Sequence, residues 1–137
     1  MSKLSELQGQ RKTVQTAITD SKNKIVILED KISRLKEASS SLATSISELD
    51  TTKTSIDNLT IDETSWKGKK ENKFEDQYKG YKHSVKRFIS KTEDAKQAIE
   101  DDISRYQETK ASYETGITSL QSTLASLNSQ ISAAEKE

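Results

Sequence analysis

The chain has 137 residues, 22 basic and 22 acidic, a formal net charge of zero and a mean hydropathy of −0.84. Only 31% of residues are hydrophobic, too few for a thick globular core. Zero net charge and regularly spaced apolar residues exclude the high-charge signature of a disordered chain, and the absence of cysteine excludes a disulfide framework.

Proline is absent and glycine occurs four times, so little interrupts a helix. From Leu4, alternating steps of three and four trace Leu4, Leu7, Arg11, Val14, Ile18, Ser21, Ile25, Leu28, Ile32, Leu35, Ser39, Leu42, Ile46, Leu49, Lys53 and Ile56. Twelve of these sixteen positions are apolar, which sets a 3.5-residue repeat, the coiled-coil value. Within this array, Ile25-Val26-Ile27-Leu28 is apolar around most of a helical turn. Val26 and Ile27 point away from the seam, which predicts that they serve an intermolecular interface.

The pattern lapses through residues 57–65, rich in Asp, Asn, Thr and Ser, which compete for backbone hydrogen bonds and favour turns. The bend is placed here, at about 58–67, with Asp62, Thr64 or Ser65 available to cap a second helix. Trp66-Lys67-Gly68 closes this gap and contains the only tryptophan. A bulky ring and a glycine suit a tight hairpin end, and equally a recognition element.

A second array follows: Phe74, Tyr78, Tyr81, Val85, Phe88, Thr92, Ala95, Ile99, then Ile103, Tyr106, Lys110, Tyr113, Ile117, Leu120, Leu124, Leu127, Ile131, Ala134. The step from Ile99 to Ile103 reads as a stutter. The expected fold is all-α: a single long antiparallel two-helix hairpin over 1–137, a coiled coil with helices at about 3–57 and 68–135. A bend near residue 62 pairs position i with roughly 124 to 127 minus i. Leu124, Leu127, Ile131 and Ala134 then overhang the first helix, which predicts a partner interface at Leu124, Leu127 and Ile131.

A Trp-X-Gly at the bend of a helical hairpin resembles the WXG (Esx-like) superfamily of type VII secretion. That resemblance implies a role for Trp66 and Gly68 in both the bend and export. The family's downstream Tyr-x-x-x-Asp/Glu is missing: Tyr78, Tyr81, Tyr106 and Tyr113 are followed four residues later by Lys82, Val85, Lys110 and Ile117. The departure implies a signal completed by a partner, as in the small hairpin proteins that accompany LXG toxins. The implied function is a secretion adaptor binding a helical partner, either an LXG-type toxin N-terminal domain or a WXG-like protein, together with the type VII machinery. The alternatives are a structural coiled-coil scaffold and a self-secreted, WXG-like homodimer.

Residues 67–91 hold nine Lys/Arg against three acids, and residues 93–114 hold seven acids against three bases. The basic stretch suits an acidic partner or a membrane surface, but a solvated helix exterior is the favoured reading. Nucleic acid is disfavoured by a pI near 6.6 and the lack of any reading motif. His83 is the only histidine, which predicts a surface residue and no metal site. Carboxylates such as Asp62-Glu63 and Asp101-Asp102 are adjacent and diverge on a helix. With no phosphate loop and no nucleophile–base set, the expectation is a non-enzyme without cofactor. No apolar run reaches transmembrane length, and Met1–Glu6 lacks a signal-peptide core. The expected location is the bacterial cytoplasm, with export alongside a partner.

Overall fold

The computed structural model describes residues 2–58 and 69–137. The fold is an all-α helical hairpin of two long helices, α1 (Lys3–Asp57) and α2 (Lys69–Glu135). The proposed bend, with Trp66 and Gly68, lies outside the described residues.

Local chemistry explains why so Ser/Thr-rich a chain stays helical. Ser2 caps α1: its hydroxyl accepts from the Ser5 N–H at 3.2 Å. Within the helices, threonines 13, 44, 51, 52, 54, 92, 109, 118 and 123 donate to the carbonyl four residues back, at 2.8 to 3.2 Å. Their hydroxyls are satisfied by the helix's own carbonyls, which the helix accommodates at a small cost in stability. At the far end of α2 the Lys136 and Glu137 N–H groups reach back three residues, tightening the last turn.

The chain divides into a terminal unit (Met1–Arg34 with Ile103–Glu137) and a central unit (Leu35–Asp102). In the terminal unit Arg11 donates to Asn128 Oδ1 at 3.3 Å, and Lys110 lies 3.5 Å from Glu29. Lys24 and Lys31 sit over the rings of Tyr113 and Tyr106, 5.6 and 5.5 Å from the centroids. In the central unit Ser39 donates to Glu100 at 3.4 Å, and Lys82 pairs with Asp57 at 3.3 Å. In each of these pairs the two residue numbers total 137 to 139.

That register corrects the sequence expectation by about two heptads. A heptad seam is translationally degenerate: a slide by whole heptads again sets apolar residues against apolar ones. The observed slide puts the apolar end of α2 against the start of α1. At the other end Asp57, the last residue of α1, faces Lys82 well inside α2. Burying the Leu and Ile side chains of the apolar end lowers the free energy by about 25 cal/mol per Å² of apolar surface.

The second correction concerns the stutter. The seam positions of α2, each half-buried or buried, run Tyr78, Lys82, Val85, Ile89, Thr92, Lys96, Ile99 in the central unit. They continue as Ile103, Tyr106, Lys110, Tyr113, Ile117, Leu120, Leu124, Leu127, Ile131, Ala134 in the terminal unit. The steps alternate four and three without a break. Lys82, Ile89 and Lys96 replace the expected Tyr81, Phe88 and Ala95, which are exposed. Two lysines at seam positions had shifted the apparent apolar line by one residue. A lysine serves there because its methylene stem covers apolar surface while its ammonium reaches the rim.

In this register each polar seam residue stands opposite an apolar one. Arg11 faces Leu127, Ser21 faces Ile117 and Lys110 faces Leu28 in the terminal unit. Ser39 faces Ile99, Lys96 faces Leu42, Thr92 faces Ile46, Lys53 faces Val85 and Lys82 faces Ile56 in the central unit. Of the nine buried apolar residues among those described, Leu7, Ile18, Leu28, Ile32, Ile117, Leu127 and Ile131 belong to the terminal unit. Only Ile56 and Ile89 belong to the central one, so its core is the thinner.

Candidate interaction surface

Leu127 and Ile131 are not an overhanging arm. They are 7% and 3% exposed and form a cluster with Leu7, against which Leu4, Val14 and Ala134 pack. Leu124 is half-buried. The premise that these residues lie beyond α1 fails because the helices pair two heptads further along. The surface assigned to a partner at this end is filled from within the chain.

Val26 and Ile27 are where the heptad phase puts them, 64% and 55% exposed on α1. Each lies off the seam, because residues 25 and 28 hold the two adjoining seam positions. Ile27 forms one wall of a shallow groove with Lys24, Leu28, Lys31, Thr109 and Tyr113. The floor of that groove is Leu28, and the two lysines reach over it toward aromatic rings of α2. A surface with an apolar wall, an apolar floor and a cationic rim can accept an amphipathic helix.

The basic stretch is partly neutralised. Lys82 is half-buried and lies 3.3 Å from Asp57 and 4.9 Å from the centre of the Tyr78 ring. Lys79, Lys86, Arg87 and Lys91 are exposed, as is His83. Among these cations stand Tyr81 and Phe88, 56% and 59% exposed. Sequence reasoning placed both rings on the seam. Stepping backward from Ile131 in strict four–three alternation reaches Ile89 and Lys82 instead, which exposes both rings. Among the described residues there is no group of three or more His, Asp or Glu that could hold a metal ion, and no helix long and apolar enough to cross a membrane.

Two long paired helices without strands among the described residues place the chain in the class of all-α helical hairpins. The chain belongs to the YwqH-like family, whose model matches residues 9–129. No curated protein and no solved structure matches it.

Proposed function

We propose that the chain is a non-enzymatic adaptor that binds a helical partner and helps it reach type VII secretion. The partner is the N-terminal domain of an LXG-type toxin, or a WXG-like protein. Family membership supports the context, since the YwqH-like family is associated with small helical proteins related to LXG toxins. The observation that carries the reading is the exposure of Val26 and Ile27 on the outside of α1, with Ile27 walling the groove over Leu28. Large aliphatic residues on the outside of a helix cost solubility and gain burial only when another surface covers them.

On this reading the hairpin supplies a rigid face for the toxin helix in the bacterial cytoplasm. Trp66 and Gly68 supply the element read by the export machinery, and the partner supplies what the missing Tyr-x-x-x-acid would have contributed. The test uses the N-terminal helical domain of an LXG toxin encoded beside this chain. Calorimetry should show binding, and Val26→Gln with Ile27→Gln should weaken it by tenfold or more, roughly the loss of one interface anchor. Both positions are exposed, so the double variant should keep its helicity and Tm. Equal binding by the double variant, or no binding by the parent, would sink the proposal. Trp66→Ala should leave binding intact and abolish secretion of the toxin.

A further inference from the structure

Tyr81, Phe88 and Ala95 lie seven residues apart, so they line one side of α2. Ser84, Lys91 and Ala98 form the adjoining row, and all six are exposed. The stripe stands about a quarter-turn round the helix from the seam row Lys82, Val85, Ile89, Thr92, Lys96 and Ile99. α1 covers that seam and leaves the two rings uncovered.

The charges along this part of α2 change sign once. Residues 77–92 carry Lys79, Lys82, Lys86, Arg87 and Lys91 and no acid. Residues 93–102 carry Glu93, Asp94, Glu100, Asp101 and Asp102 against Lys96 alone. Lys82 and Lys96 are engaged within the chain, with Asp57 at 3.3 Å and Glu100 at 2.5 Å. Lys86, Glu93 and Glu100 flank the seam with α1, whereas Arg87 and Lys91 before residue 92, and Asp94 and Asp101 after it, are exposed beside the stripe, so the change of sign falls within it.

We infer that this stripe is a self-association surface, occupied by the same stripe of a second copy lying antiparallel about a two-fold axis between Lys91 and Ala95. Antiparallel docking about that point sets the basic half of each α2 over the acidic half of the other. Parallel docking would stack like charges and is disfavoured. Shape follows the same symmetry. Phe88 of each copy falls over Ala98 of the other, a large side chain into a small one. Arg87 comes opposite Asp101 of the second copy, and Lys91 stands beside Asp94 of the second copy. The contact is isologous and closes at two chains, because each stripe is consumed by its own image. An anionic membrane is the poorer occupant, since the acidic half of the stripe would face the lipid phosphates.

This inference is independent of the proposed adaptor role, which uses Val26 and Ile27 in the terminal unit. Sedimentation equilibrium of the full chain from about 1 to about 100 µM should show monomer and dimer only, with the dimer weakened as salt rises and screens the charged flanks. Phe88→Lys should raise the dimer Kd tenfold or more, roughly the loss of a buried aromatic anchor. Because Phe88 is exposed, circular dichroism should show unchanged helicity. Arg87→Asp and Asp101→Arg should each weaken the dimer, and both together in one chain should restore it. Val26→Gln with Ile27→Gln should leave it unchanged. A clean monomer at the highest concentration overturns the inference. So does a Phe88→Lys dimer as tight as the parent, or a charge pair that fails to rescue. Phe88-dependent binding to phosphatidylglycerol vesicles without any dimer would assign the stripe to a membrane instead.

Discussion

Lys82 is the residue at which the central unit concentrates its polar contacts. Its stem lies on the seam opposite Ile56, its ammonium pairs with Asp57 and the same charge sits over the Tyr78 ring. The Tyr78 hydroxyl donates to the Ile56 carbonyl, one of the last of α1. Asp57 is consequently held below the usual carboxylate range. The hydrogen bond from Lys82 is the largest cause, loss of water pulls the other way, and the charges of Lys82 and Lys53 add to the lowering. A depressed carboxylate contributes stability above its unfolded pKa and loses it as pH falls through the folded one. Asp57→Asn should therefore lower Tm slightly at pH 7, and parent and variant should melt together once pH falls well below the ordinary carboxylate value. A difference that persists in acid would mean that packing, not charge, is the cause. At Gly116 an added methyl would meet nothing within 4 Å. Gly116→Ala should raise stability by about 0.5–1 kcal/mol in urea unfolding, from backbone entropy alone.

At the scale of the elements, the end of α2 is core. Ile131→Ala should cost roughly 2–4 kcal/mol, since the Leu7 and Leu127 side chains around it can collapse only partly into the gap. Truncation after Thr123 should lower Tm sharply, because it strips Leu4, Leu7, Arg11 and Val14 of the residues they face. A truncated chain melting like the parent would restore the overhanging arm and the sequence-derived register. The two units should also open separately. The central seam carries Ser39, Lys53, Lys82, Thr92 and Lys96, whereas the terminal seam carries Arg11, Ser21 and Lys110. Amide exchange should be faster for residues 39–56 and 82–99 than for residues 7–32 and 106–131, because fewer buried side chains oppose opening there. Equal protection would show that the ion pairs compensate for the missing apolar area.

At the scale of the whole molecule, the sequence by itself determined the helical hairpin and the seam of α1. Two proline-free arrays with a 3.5-residue repeat, separated by one polar gap, bury their apolar lines by pairing with each other. It also determined that Val26 and Ile27 face outward, since both lie next to seam positions whose phase is unambiguous. Tertiary structure alone decided the register. Sliding one heptad array past another by whole heptads preserves the local pattern, so only the total burial of both helices selects among the slides. The same decision moved Leu127 and Ile131 from a presumed partner surface into the core. The exposure of Tyr81 and Phe88 was hidden for a related reason. Lysine at a seam position looks polar in a sequence, and only the packed neighbour shows that its stem, and not the adjacent ring, is the side chain turned inward.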